Sequence, residues 1–398
     1  MHILLLNEYY PPDTSATAKM AAMVVETLAT RHRVTVIAGR PSYDPTEKFP
    51  WRLLRRASSG NIAIERVGST AFPRFKMLRR VSNYLTYLVL AIPRAIMIRS
   101  DVILAMTDPP IAGIAGAIVS RLTGRPFVYN IRDLYPDMAV GGDIVRPGLA
   151  ARIWERMHRW ALRRAVRVIV LGDDMRDRII AKGVDAARIS VVRDGVTISA
   201  ELPALGNPVS QEIRSGFQFV ALHAGNIGFY GAWDTLLDAA RRLGDSTSGI
   251  IFVGEGAQKA RIVATAGATP AIRFLPFRPA AEIPSVLAAG DVHIITVKRG
   301  LEGVIVPSKL YPILAAGKPV LAVSTPKTDV ARIITEAGCG VVVDPDDPDA
   351  VALAIQDLAA HPERVAEMAH RAAAIARNYD KFAELNCFLK VIEGVIPE

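Results

Sequence analysis

Short apolar runs that alternate with longer amphipathic ones restrict this chain more than any other feature. Residues 3–6, 34–38, 102–106, 126–131, 166–171 and 189–192 are brief, mostly aliphatic stretches. Runs of that length and uniformity predict strands buried on both faces. Helical periodicity separates several of them, at 18–30, 111–122 and 150–165. Strand, helix and strand in that order demand a right-handed crossover and a parallel sheet. The pattern restarts with runs at 217–223, 250–253, 272–275, 292–297 and 320–323. Between the two series, residues 197–216 hold Pro203, Pro208 and little periodicity, and read as a linker. A chain of 398 residues has room for two such α/β domains, each with its own core.

Open parallel sheets bind ligands at the carboxyl ends of their strands, so the residues after each run carry the functional argument. After 3–6 comes Tyr9-Tyr10-Pro11-Pro12-Asp13-Thr14-Ser15-Ala16-Thr17. Ser15 and Thr17 either present hydroxyls and amides to a phosphate or sugar, or cap the helix that follows. No G-x-G-x-x-G appears, which argues against a dinucleotide fingerprint. After 126–131 come Asp133 and Asp137. Either carboxylate is placed to act as a base or to orient an acceptor hydroxyl, and either can instead cap a helix or pair with Arg132. In the second half, Gly225-Asn226-Ile227-Gly228 follows one run, Gly254-Glu255-Gly256 the next, and Pro276-Phe277 a third. Glycines at strand ends let the backbone approach a ligand, and several such ends on one rim make a nucleotide pocket.

The stretch from Glu302 to Val320 packs a loop, a short helix and a strand entry together. Pro307 or Ser308 can open the helix, Gly317 can close it, and Pro319 blocks its continuation. Ser308, Lys309 and the first amides of that helix suit a phosphate, and the alternative is an ordinary loop-helix-strand connector with a solvated lysine. Pro312 lacks an N–H, so the helix is expected to start late or to bend.

Charge is unevenly distributed. Residues 1–200 hold 30 Lys and Arg against 17 Asp and Glu, a balance of +13, and the remainder carries −4, giving the overall +9. Basic residues at Arg74, Lys76, Arg79 and Arg80 sit among Trp, Phe and Leu, just before an apolar segment at 84–98. Fifteen residues interrupted by Pro93 and Arg94 are too few to span a bilayer. The pattern suits a helix lying in an anionic membrane interface, or a core helix with a basic rim. Nucleic acid fits less well, because the aromatics form no stacking platform. Cys339 and Cys387 are far apart with no metal-type spacing, which fits a reducing cytoplasm. The acids from Asp344 to Asp349 precede a helix and read as caps, so no obligatory metal is expected.

Taken together, Tyr9-Tyr10-Pro11-Pro12-Asp13, Arg132-Asp133-Leu134-Tyr135-Pro136, Asp194-Gly195-Val196, Gly225-Asn226-Ile227-Gly228, Gly254-Glu255-Gly256 and Pro307-Ser308-Lys309-Leu310-Tyr311 resemble the GT-B glycosyltransferases, specifically the family 4 group that builds bacterial surface polysaccharides. The resemblance covers essentially the whole chain. It implies a GT-B architecture of two Rossmann-like, doubly wound parallel-sheet domains facing a cleft. An acceptor domain would span 1–196, a linker 197–216 and a sugar-nucleotide domain 217–375. Residues 376–398 would form a helix crossing back to the first domain.

The same resemblance implies a nucleotide-sugar donor, expected to be a UDP-sugar, and a polyprenyl-diphosphate-linked saccharide acceptor. It also implies retention of configuration; contact with the inner face of the cytoplasmic membrane is expected through the basic N-terminal domain. Gly225, Asn226, Gly228, Gly254, Glu255, Pro276, Phe277, Ser308, Lys309 and Leu310 would hold the nucleotide and diphosphate. Glu302, Gly303 and Val304 would face the donor sugar, and Asp133 or Asp13 would orient the acceptor. Two features depart from the family. Val304 and Pro312 occupy the positions of a glutamate pair common in relatives, and the usual Arg and Lys near Asn226 and Tyr230 are missing. Lys309 is therefore the expected main cation for the diphosphate. A sugar-nucleotide 2-epimerase of the same fold and a catalytically silent binding subunit are the alternatives.

Overall fold

A computed structural model describes residues 1–42, 49–72, 77–197, 206–244 and 247–396. The chain divides into two compact units. The first comprises Met1–Val140, Val145–Arg193 and Ala383–Glu398; the second comprises Gly141–Ile144 and Asp194–Phe382. Each is built on its own sheet, the α/β arrangement that the alternating runs predict.

In the first unit the described strands are β1 (His2–Leu6), β2 (Arg33–Ala38), β3 (Leu54–Ser59), β4 (Ile62–Val67), β5 (Val102–Ala105), β6 (Phe127–Asn130), β7 (Arg167–Val170) and β8 (Ile189–Val191). Their order is β3-β4-β2-β1-β5-β6-β7-β8, and every pairing is parallel except β3 with β4. No apolar run in the sequence marks that hairpin. Its basic, weakly apolar sequence hides the strand signal, and Gly60 at φ +54° makes the turn. The central strands are wholly buried because helices cover both faces. One cover is the end of the chain. Leu385, Phe388, Leu389 and Ile392, on the helix Lys381–Glu393, pack with Val25, Leu28 and Val36. Burying side chains of this size stabilises by about 1.5–3 kcal/mol each.

The second unit holds β9 (Phe219–Ala224), β10 (Ser248–Val253), β11 (Ile272–Leu275), β12 (Val292–Thr296), β13 (Val320–Val323) and β14 (Gly340–Val343) among the described residues. The order β11-β10-β9-β12-β13-β14 is parallel throughout. The reversal of order beside β9 is a topological switch point, where such sheets open a crevice. The described part of the expected linker includes a helix. Asn207 caps the helix Pro208–Arg214 through a 2.9 Å bond from Ser210 N–H, and Ser210 donates to Ser285 O at 2.9 Å. Residues 198–205 lie outside the described chain.

Candidate functional site

At the switch point of the second unit, β9 ends in a turn that only glycines permit. Gly225 adopts φ +134° and Gly254, after β10, φ +146°. A Cβ on Gly254 would lie 2.1 Å from Gly225 O, and one on Gly256 would lie 2.2 Å from Ile227 O. The two turns are stitched together: Gly225 N–H donates to Val253 O and Ile227 N–H to Glu255 O, both at 2.9 Å. Trp233 Nε1 donates to Gly228 O at 2.6 Å, which fixes the far end of the loop. Asn226 is exposed and donates to Tyr230 OH at 3.0 Å.

Lys309 meets this turn from another element. Its Nζ lies 3.3 Å from His223 Nε2 and would stand 3.4 Å from a Cβ on Gly225. His223 is buried on β9, with its ring edge-on to Trp233 at 4.9 Å. Burial, then the lysine charge, hold this imidazole far below its ordinary pKa, so it stays neutral. A neutral ring protonated on Nδ1 accepts the lysine N–H at Nε2. Burial also pulls the Lys309 ammonium down to about 7. A cation so weakly solvated is poised to receive a charged ligand.

The helix behind Lys309 starts late, one of the two outcomes expected from Pro312. It runs Leu310–Ala315 with Lys309 at the cap, rather than opening at Pro307 or Ser308. The reason is Pro312, tolerated only in a first turn where its missing N–H has no partner to lose. Leu310 N–H donates to Pro307 O at 3.2 Å, so one of the amides expected to face a phosphate is already bonded. Gly317 follows the helix at φ +59°, the left-handed closure expected of it.

A cavity of about 120 Å³ adjoins the lysine, walled by Val253, Phe277, Val286, Leu287, Pro312 and Ile313. Phe277 is largely exposed at its edge, beside exposed Pro276. Arg278 also lines the cavity, with its charge engaged by Glu212 at 2.5 Å. Ser308 is exposed, whereas Leu310 and Val304 are buried in the core. Glu255 is exposed and paired with Lys259 at 2.6 Å. Glu302 Oε1 accepts from Gly300 N–H at 3.1 Å and from Thr325 Oγ at 2.9 Å, which ties down its own loop. Gly303 in that loop takes φ +65°.

In the first unit, Ser15 caps the helix Ala16–Ala29, its Oγ accepting Ala18 N–H at 3.0 Å. Thr17 sits half-buried in the first turn. Asp13 is buried and accepts from Ser42 N–H at 3.0 Å. Asp133 follows β6 and is half-buried. Asp137 is engaged structurally, with Lys182 at 2.7 Å and Arg178 at 3.2 Å rather than Arg132. Arg79 is exposed, and Arg80 donates to Tyr84 OH at 2.6 Å. Arg74 and Lys76 lie outside the described residues. The acids after β14 behave as caps and surface pairs: Asp347 accepts from Ala350 N–H at 2.9 Å, and Arg299 binds Asp344 at 2.6 Å. Among the described residues no three His, Cys, Asp or Glu gather as a metal site.

Sequence reasoning missed His223 and Arg278. Both had a usable signal: each is a polar residue at or just past the carboxyl end of a buried run.

A glycosyl transferase 4-like domain model matches residues 15–195, and a glycosyl transferases group 1 model matches residues 218–361. The chain is 26% identical to WbjE of Pseudomonas aeruginosa, named as a glycosyltransferase, over 82% of this chain and 84% of that protein. It is 24% identical to WcaI of Escherichia coli (strain K12), named as a colanic acid biosynthesis glycosyl transferase, over 99% and 100%. Among solved structures, Anabaena HepE in complex with UDP aligns at TM-score 0.69 and 19% identity, over 99% of this chain and 100% of that one. WaaG, a glycosyltransferase involved in lipopolysaccharide biosynthesis, aligns at TM-score 0.65 and 16% identity, over 99% and 100%. Identities that low speak to the fold alone.

Proposed function

The chain belongs to the glycosyltransferases, a 4-like domain followed by a group 1 domain, and from that premise we propose that it moves a sugar from a UDP-sugar to a polyprenyl-diphosphate-linked saccharide during assembly of a bacterial surface polysaccharide. The observation that carries the proposal is Lys309, held 3.3 Å from His223 at the glycine turn after β9. As the bond to the sugar breaks, the departing diphosphate gains negative charge. A cation already in place, in a poorly solvated setting, favours that state over the ground state. It supplies the role a divalent ion plays elsewhere, so the reaction is read as metal-independent. The apolar cavity beside Lys309 suits part of the nucleoside. A uridine donor is supported by HepE, whose structure is a complex with UDP.

The acceptor hydroxyl is oriented by Asp133 or Asp13, with retention of configuration as the resemblance suggests. The acceptor's lipid places the enzyme at the cytoplasmic face of the inner membrane. Support comes from the helix Met77–Met97, which exposes Leu78 (83%), Leu85 (52%) and Val89 (70%) along one stripe with Arg79 beside it. Among the described residues no helix is long and apolar enough to cross a membrane, so the contact would be interfacial.

Incubating the purified protein with UDP-, GDP- and TDP-sugars and a short polyprenyl-diphosphate-sugar tests this reading. Product is expected only when an acceptor is present, and it should form in the presence of chelator. Release of an epimerised free sugar without acceptor would make the protein a 2-epimerase instead. Activity lost to chelator and restored by magnesium or manganese would overturn the metal-independent reading.

A further inference from the structure

Arg40, Arg52, Arg55 and Arg66 line one small cavity in the first unit, with Phe49 and Val67. Arg40 follows β2 and Arg66 lies near the end of β4. Arg55 is the cross-strand partner of Arg66 in the antiparallel hairpin, which brings it to the same edge. These arginines therefore meet at the carboxyl end of parallel strands, where open sheets take their ligands.

Among the described residues the acids nearby are engaged with Arg66 and with other arginines. Arg66 is engaged, donating to Gly39 O at 3.2 Å, to Tyr10 O at 3.3 Å and to Pro11 O, with Asp13 as a nearby counter-charge. Glu65, the neighbouring acid, is held by Arg94 at 2.7 Å and Arg56 at 3.2 Å. Among the described residues Arg40, Arg52 and Arg55 form no ion pair, and Arg40 Nε is buried without a hydrogen-bond partner. The backbone at Arg40 is anchored, because its main-chain N–H donates to Ser69 Oγ at 3.0 Å.

Like charges gathered in one place repel one another, and a multiply charged anion would remove that repulsion. Planar guanidinium forks match a phosphate better than a carboxylate-sized single charge, since each offers two parallel donors to adjacent phosphoryl oxygens. We propose that Arg40, Arg52 and Arg55 bind the phosphate or diphosphate group of the acceptor. These arginines lie in the first unit, whereas the glycine turn and Lys309 belong to the second. That the anion is the acceptor's own rests on the transferase reading above.

The full chain, first saturated with UDP, is titrated calorimetrically with inorganic diphosphate and with farnesyl diphosphate. One saturable diphosphate per chain is expected. Arg40→Ala and Arg55→Ala should each weaken it at least about tenfold, the size of one lost charge-assisted hydrogen bond. Arg40→Lys, which keeps the charge, should weaken it less, and Lys309→Ala should leave it unchanged. Thermal melts identify any variant that has lost its fold, and Arg52→Ala then serves as the replacement. Tighter binding of farnesyl diphosphate than of inorganic diphosphate assigns the site to a lipid-linked acceptor. Equal binding assigns it to a soluble phosphate ester. No saturable binding by the wild type, affinity indifferent to the arginine changes, or loss in Lys309→Ala alone would each overturn the assignment. Failure of UDP to bind would count against the donor reading and leave this titration standing.

Discussion

Lys309 Nζ stands 3.3 Å from His223 Nε2, an ammonium resting on a buried neutral imidazole. A lysine side chain has four rotatable bonds and loses considerable freedom when its head is fixed. The imidazole bears part of that cost in advance, by accepting a hydrogen bond where the ring itself has no room to move. If His223 acts through Lys309, the two substitutions must not add. His223→Leu is expected to lower kcat/KM about tenfold in the wild type and to have no further effect in a Lys309→Ala background. Steady-state kinetics on the four proteins of the cycle measure this. An equal drop in both backgrounds would mean that His223 is merely structural.

The lowered pKa of Lys309 makes donor binding depend on pH. With a value of about 7, the free site is charged below neutrality and increasingly neutral above it. A diphosphate binds the charged form, so UDP affinity should fall as pH rises from 6 to 9, and binding at pH 8 should take up a proton. Calorimetry in buffers of different ionisation heat reads the uptake. Lys309→Arg, which stays charged, should show neither effect. The same shift acts on stability. The unfolded lysine binds its proton up to about 10.5, so between pH 7 and 10.5 the unfolded state holds more protons and this group's contribution to stability rises with pH.

Gly254 has no room for a side chain. A Cβ there would meet Gly225 O at 2.1 Å, from a backbone at φ +146° that other residues rarely adopt. Gly254→Ala should therefore destabilise by about 1–3 kcal/mol and displace the turn beside Lys309, weakening UDP binding. Gly206→Ala, where a Cβ meets nothing within 4 Å, is the control and should be neutral. Urea titration and UDP binding test the pair.

Lys182 supports the first unit rather than the chemistry. It is buried, with Asp137 at 2.7 Å and Glu155 at 2.8 Å. Lys182→Met would leave two carboxylates partly buried without their shared cation, at about 3 kcal/mol. The loss should appear in urea unfolding, while UDP affinity measured on the folded protein stays unchanged.

The exposed stripe of the helix Met77–Met97 gives a prediction about location. Leu85→Asp with Val89→Asp should abolish binding to vesicles rich in phosphatidylglycerol while leaving the melting temperature within a few degrees, because both side chains already face water. Co-sedimentation measures it, and undiminished binding would place the membrane contact elsewhere.

What could be read from residues alone followed from strong local signals. Uniformly apolar runs such as Leu4-Leu5-Leu6 and Val320-Leu321-Ala322-Val323 have few alternatives to a buried strand. The glycine turns and the late helix start at Leu310, set by Pro312, follow from single-residue backbone limits. The β3–β4 hairpin was hidden because its pairing is an edge interaction whose residues Arg55, Arg56 and Ser58 carry no apolar alternation. Asp137 looked available beside Asp133 because Lys182, its partner, is 45 residues away in sequence. The position of His223 at the end of a buried run was legible, but its pairing was not: only folding brings it to Lys309, 86 residues on.

Comparing UDP with uridine on wild type and Lys309→Ala isolates the contribution of the lysine to the diphosphate. The account predicts that the substitution weakens UDP at least tenfold and leaves uridine unchanged, with turnover falling at least as far. Equal UDP affinity and wild-type turnover in Lys309→Ala would contradict it.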